Sequence, residues 1–145
     1  MTTAPSVAYV DVAIGIVFSN GQILIARRGK GDAFADLWEF PGGKCERGEA
    51  PADCVRREML EETTLTVEPV EALPVIEHRY PAVNVRLHPF VCRYVAGEAA
   101  AVSGVELRWV APVELGTGFR FPDANAGLVR ELAGRDFGEH RSRLL

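Results

Sequence analysis

The sequence predicts an α+β fold in which a mixed sheet is interrupted by two helices. Three observations point there. Short segments rich in Val, Ile and aromatic residues, several with strict apolar–polar alternation, fill most of the chain, as half-buried strands do. Only Pro51 to Thr63 and Asn125 to Ala133 switch to the period of an amphipathic helix. No repeat, linker or low-complexity run divides the 145 residues, so residues 7–145 are expected to form one domain behind a short flexible lead at residues 1–6.

The elements follow in order. Val7 to Phe18 reads as a strand, and Ser19-Asn20-Gly21-Gln22 is a type I′ hairpin signal. Ile23 to Ala26 is the return strand, ending at Arg27 and Arg28. Gly29 to Asp36 is a polar loop long enough to border a pocket, and Leu37 to Phe40 is a short strand stopped by Pro41-Gly42-Gly43. The first helix has Pro51 at its first position and Asp53 in its first turn, both favoured there by backbone geometry and the helix dipole. Its apolar stripe is Ala52, Val55 and Met59, flanked by Cys54 and Leu60. Leu65 to Arg79 and Val83 to Tyr94 read as two strands around Tyr80-Pro81-Ala82. Gly97 to Gly104 is an alanine-rich loop, Val105 to Val110 a further strand, and Phe119 to Ala124 a loop. The last helix packs on Leu128, Val129 and Leu132.

Composition narrows the function classes. Hydrophobic residues at 48% and charged residues at 25% describe an ordinary globular protein large enough for a proper core. A net charge of -4 argues against a sequence-independent grip on duplex nucleic acid, but leaves a single nucleotide open as a partner. Cys45, Cys54 and Cys92 lack CxxC spacing and cannot all pair, so free thiols in a reducing compartment are expected. No apolar run approaches about 18 residues, and the N-terminus lacks a charged segment followed by an apolar one. A soluble cytoplasmic protein with no membrane partner, monomer or homodimer, is the expectation.

The most chemically telling feature is a carboxylate cluster. On a helix, residues three and four apart are surface neighbours, so Glu58, Glu61 and Glu62 share one side of the Pro51–Thr63 helix. Like charges at that spacing destabilise an isolated helix by about 0.2–0.5 kcal/mol per pair. A hard divalent cation converts that repulsion into ligation, because Mg2+ prefers carboxylate and carbonyl oxygens. Glu62 lies beside the apolar stripe and Glu58 a little further round, so the acidic side borders the core. A metal site with phosphate as its partner follows. A solvated acidic helix face is the plainer alternative while the three acids are taken alone.

The cluster does not stand alone. Gly43, five other residues, Glu49, seven others, then Arg57-Glu58-Met59-Leu60-Glu61-Glu62 and Leu65 together resemble the Nudix box. Leu37-Trp-Glu-Phe-Pro-Gly-Gly-Lys44, Ile25-Ala-Arg-Arg28 and Phe121-Pro-Asp-Ala-Asn125 resemble segments of the MutT-like branch, and the likeness spans most of Val7 to Leu132. It implies an α/β/α sandwich around a mixed β-sheet, with Mg2+ as cofactor and Mn2+ as the alternative. It also implies cleavage of nucleoside triphosphates to monophosphate and pyrophosphate, by water attack at phosphorus, as in DNA-repair cleansing of 8-oxo-dGTP.

The resemblance implies roles residue by residue. Glu58, Glu61 and Glu62 supply carboxylate oxygens to the cation, with a carbonyl of the Gly42-Gly43 turn as a further ligand. Arg57 pairs with Glu61 or Glu49 to hold the carboxylates, and Glu49 supports the metals from close by. Glu58 is the first choice for general base and Glu62 the second. Arg28 and Lys44 are candidate phosphate partners, although a solvated surface role suits Lys44 equally. Asn125 matches the MutT asparagine that reads the purine edge, where the N7 proton of 8-oxoguanine beside O6 distinguishes it from guanine. Capping of the last helix is an equally good use of an asparagine there. Phe40 and Tyr80 are candidate walls for the base, with plain core packing as the commoner role.

The pattern also breaks. Thr64 replaces the box glycine, at a cost of about 1 kcal/mol or more in the left-handed position; a shift of the helix end is open, but the ligands lie upstream, so activity should survive. Ala50 stands where Thr or Ser often caps the helix. Ser103 falls where relatives often carry a further glutamate, with Glu106 three residues on, and Val83 stands where an arginine closes the MutT pocket. These departures leave three readings open: the oxidised-purine enzyme, an enzyme acting on CTP, dCTP or many nucleotides, and a nucleotide-binding sensor without catalysis. The intact glutamates argue against the sensor.

Overall fold

In a computed structural model, residues 8–28, 37–100 and 105–135 are described. Strand β1 (Tyr9–Ser19) is the backbone of the fold, because Ala13 to Phe18 are all buried and the strand must therefore be covered on both faces. It turns through Asn20 and Gly21, both at positive φ (53° and 76°) as a type I′ turn requires, into β2 (Gln22–Arg28). Two short strands follow, β3 (Trp38–Glu39) and β4 (Gly42–Lys44). Helix α1 (Pro51–Thr63) leads to β5 (Thr66–Ala72), β6 (Ile76–Arg79) and the long β7 (Asn84–Ala96). Strand β8 (Val105–Val110), 3-10 turns at Pro112–Gly116 and Asp123–Asn125, and helix α2 (Ala126–Ala133) complete the order.

The eight strands form one mixed sheet whose main path runs β3-β2-β1-β7-β5, with β8 on β2, β6 on β7 and β4 on β1. β1 and β7 are parallel from Tyr9↔Asn84 to Phe18↔Arg93, and the remaining pairs are antiparallel. The opposite edge of β1 is divided. β4 takes Val12 to Ile14, while β2 takes Phe18 and Ser19. Alternation along β1 then sorts the core. Ala13 and Val17 face α1 with Val55, Met59 and Leu65, while Ile14, Ile16 and Phe18 face the α2 side with Phe40, Leu128 and Leu132. This is the expected helix–sheet–helix sandwich.

Several details depart from expectation for physical reasons. Leu65 to Arg79 is two strands, because after the Leu73 N–H to Pro89 carbonyl bond (2.9 Å) Pro74 has no N–H to continue the pairing with β7. β4 has only three residues, which no periodicity can signal, and exists because β1 offers it an edge. Leu60 is 54% exposed and lies off the stripe, and Thr63 is buried in its place. The end of α1 does not shift. Thr64 itself takes the left-handed conformation (φ 63°, ψ 10°), its N–H donating to the Leu60 carbonyl at 3.1 Å. Its hydroxyl donates to the Glu98 carbonyl at 2.6 Å, which offsets part of the strain. The 29–36 loop and Ser103 lie outside the described residues.

Candidate active site

Helix α1 begins at Pro51 with Ala50 extended before it and no side chain capping it, as the missing Ser or Thr implied. Cys54, Val55 and Met59 fix its rotation by burial against the sheet, each full Val- or Met-sized burial contributing about 1.5–3 kcal/mol. That rotation turns Glu58 and Glu62 toward β4. The Gly42 N–H donates to Glu62 Oε2 at 3.1 Å. A Cβ built on Gly43 would lie 2.3 Å from Glu58 Oε2, and one on Gly42 would lie 2.0 Å from the Ala13 carbonyl oxygen. Only glycine permits backbone on both sides of this contact. The glycine pair is thus a wall against which two carboxylates rest.

Arg57 organises the rest. Its Nε and Nη2 donate to the two oxygens of Glu49 at 2.8 and 2.9 Å. Nη1 donates to Glu58 Oε1 at 2.9 Å and to Glu61 Oε2 at 3.1 Å, and Nη2 also donates to the Lys44 carbonyl at 3.1 Å. Every N–H direction of the guanidinium finds an acceptor. Glu49 is held from its other side by the Glu46 N–H at 2.9 Å. These bonds, Arg57 first, lower the Glu49 carboxyl to about 2, and the Glu49 bond foremost raises the Arg57 pKa. Glu49 and Arg57 therefore remain an ion pair across the working pH range.

The oxygens of Glu58 and Glu62, resting against the Gly42-Gly43 backbone, are of the kind that a hard cation prefers. Among the described residues no group of three or more His, Cys, Asp or Glu side chains is arranged to hold a metal ion as the side chains stand. Arg57 Nη1 bridges Glu58 and Glu61, and the Glu61 side chain is 58% exposed. Closing a three-carboxylate site needs a side-chain rearrangement in that pair.

The remaining candidates divide between the two faces. Phe40 is buried on the α2 side and stacks on Phe121 at 5.3 Å, which draws the Phe121-Pro-Asp-Ala-Asn125 segment against β3. The Trp38 N–H to the Arg120 carbonyl (2.7 Å) pins the same segment. Asn125 is 7% exposed, closes a 3-10 turn with φ -94° and ψ -5°, and makes no side-chain bond to α2. It is not a cap, because a cap residue is extended and bonds to the helix N–H groups. β6 passes beside that turn, and Tyr80 is raised by burial and by the Asp123 carboxylate nearby. Lys44 lines a cavity on the α1 face with Tyr9, Asp11, Glu46, Glu49 and His88. Arg28 ends β2, with its side chain outside the described residues. Glu106 pairs with Arg27, and Val83 is 36% exposed.

Two participants escaped the sequence. Cys54 Sγ donates to the Gly43 carbonyl at 3.5 Å and lies 3.9 Å from Arg57 Nη2, and burial pushes its thiol up to about 12. Nothing in sequence separates such a thiol from a core residue. Phe121 was legible only as part of its motif, and its stacking on Phe40 is a long-range contact.

A family model described as the NUDIX domain matches residues 10–132. The chain is 34% identical over 124 residues to an 8-oxo-dGTP diphosphatase of Haemophilus influenzae, covering 85% of this chain and 90% of that one. It is 32% identical over 123 residues to the Escherichia coli 8-oxo-dGTP diphosphatase, covering 84% and 95%. Among solved structures, a MutT protein from Methanosarcina mazei Go1 superposes with a TM-score of 0.78 at 21% identity, covering 89% of this chain and 96% of that one. That last likeness speaks for the fold.

Proposed function

Because the chain belongs to the NUDIX family, we propose that it is a Mg2+-dependent nucleoside triphosphate pyrophosphohydrolase acting on oxidised purine nucleotides such as 8-oxo-dGTP. The products are the nucleoside monophosphate and pyrophosphate. The observation that carries this reading is the meeting of Glu58 and Glu62 with the Gly42-Gly43 backbone, under the hold of Arg57. Residues that would hold the cation are Glu58, Glu62 and the Gly43 carbonyl, with Glu61 turning in from solvent; Mn2+ is the alternative ion. When bound, such an ion neutralises phosphate oxygens and lowers the pKa of attacking water.

The chain's own residues do the rest. Glu58 takes the proton of the attacking water, with Glu62 as the second candidate. Arg57 and Glu49 keep the carboxylates aligned. Arg28 and Lys44 meet phosphate oxygens. Asn125 accepts from the N7 proton of the oxidised purine and donates to O6, with Phe40 and Phe121 as the wall beneath. Its burial without a capping bond supports this use. We place the enzyme in the cytoplasm, in keeping with its three free thiols.

The test is a panel of oxidised and ordinary nucleotides with Mg2+, scored for pyrophosphate. Preferential turnover of 8-oxo-dGTP is expected. Preference for CTP would overturn the oxidised-purine reading, and no release from any nucleotide would overturn the enzymatic one. Asn125→Ala should raise KM for the oxidised purine about tenfold, the loss of roughly one net hydrogen bond. An equal rise for every nucleotide would remove Asn125 from base recognition.

A further inference from the structure

Strand β8 lies at one border of the sheet. It pairs with β2 over its full length, from Val105↔Arg28 to Val110↔Ile23, and among the described residues no other strand pairs with it. Such an edge presents a row of backbone N–H and C=O groups to any strand that meets it in register. β5 ends the main strand path on the far side and is unsuited to that use. Pro69 has no N–H to donate, and the pairing of β5 with β7 shifts register between Thr66 and Val67 and again between Pro69 and Glu71. β8, Val-Glu-Leu-Arg-Trp-Val, contains no proline and pairs without a shift.

The side chains of β8 are complementary to their own order reversed. Leu107 and Trp109 pack on the α1-side core, and alternation places Val105 on the same face. Glu106 and Arg108 are exposed on the other face, where Glu106 Oε1 accepts from Arg27 and the Arg108 guanidinium lies 5.3 Å from the Phe119 ring centroid. We infer that β8 pairs antiparallel with β8 of a second copy of this chain, about a two-fold axis at Leu107. Glu106 then stands opposite the partner's Arg108, and Arg108 opposite the partner's Glu106. On the other face Leu107 meets its own counterpart, and Val105 meets the partner's Trp109. Glu106 can serve Arg27 and a second arginine together, because a carboxylate has about four lone-pair sites on two oxygens. Pairing about a two-fold axis uses the same edge on both copies, so assembly stops at the dimer. One strand pair is at the small end of specific interfaces, so the dimer is weak and depends on concentration.

The experiment measures mass by sedimentation equilibrium over roughly 1 μM to 1 mM protein, the span of weak association. The unaltered chain should pass from the mass of one copy to that of two and no further. Glu106→Arg and Arg108→Glu should each weaken the dimer about tenfold or more, because each puts like charges opposite one another at two places. Mixed in equal amounts, these two variants should associate with each other about as tightly as the unaltered chain does with itself, since every facing pair is again of opposite sign. Arg108→Gln, which removes the attraction without adding repulsion, should weaken the dimer about fivefold and guards against a reversal that harms the fold. An unaltered chain that stays single across the range would overturn the assignment. So would a dimer that both reversals leave intact, reversed variants that melt like the parent yet ignore each other, or an Arg108→Gln chain of undiminished affinity. All of these readouts are independent of nucleotide turnover.

Discussion

Arg57 directs a planar fork of donors at Glu49, Glu58, Glu61 and the Lys44 carbonyl, a geometry that an ammonium group cannot reproduce. Arg57→Lys should therefore keep the fold while Glu58 loses its fixed position. We expect kcat for nucleotide hydrolysis to fall about 100-fold with little change in KM, the usual result of misplacing a reacting group by about 1 Å. Steady-state kinetics on purified protein checks this. Glu49 gives a pH prediction. Its folded pKa, about 2, lies below the ordinary glutamate value of about 4.3, so its stabilising contribution is fully present above that value. It is lost as pH falls from about 4.3 toward 2. Melting curves across this window should show the loss, and Glu49→Gln should flatten that part of the acid limb while lowering the melting temperature at pH 7. The residue types and spacing of this cluster were readable in the sequence. The Lys44 carbonyl and the Cys54 sulfur were not, because a backbone acceptor leaves no mark on residue identity and a buried thiol is usually core.

At the scale of elements, α1 is the part of the chain that sequence described best. Its bounds, Pro51 to Thr63, match expectation because a proline start, an acidic first turn and a 3.6-residue stripe are all local signals. β8 matched for the same reason. β4 and the break between β5 and β6 did not, since both depend on what a neighbouring strand offers. Asn125 moved from the start of a helix to the end of a 3-10 turn, which packs beside β6. Thr64 shows how an element end is held against local preference. Its left-handed backbone costs about 1–2 kcal/mol, and its hydroxyl bond to Glu98 returns about 1 kcal/mol. Thr64→Val, which keeps the strain and loses the bond, should destabilise by about 1 kcal/mol. Thr64→Gly, which loses both, should stay within about 1 kcal/mol of the parent. Urea unfolding of the two variants shows whether the strain or the bond weighs more.

Across the whole molecule, the sheet separates two cores with different duties. The α1-side core sets the rotation of the acidic helix, and the α2-side core holds the Phe40–Phe121 stack that anchors the segment leading to Asn125. Leu132 is fully buried in the second core. Leu132→Ala should cost about 2–5 kcal/mol and weaken nucleotide affinity, with less effect on kcat than on KM. Unfolding and kinetics on one preparation test both halves of that statement. Sheet order was not legible beforehand, because the expected strands carry no label for their partners. The parallel union of β1 with β7 has a consequence in time. Tyr9 cannot meet Asn84 until α1, β5 and β6 have been made, so the most apolar strand of the chain is synthesised long before its longest partner. At about 5–20 residues per second, β1 waits on the order of 4–15 s on the ribosome with that edge uncovered. A nascent chain stalled before Asn84 presents that unpaired edge to its neighbours, a template for association between unfinished copies.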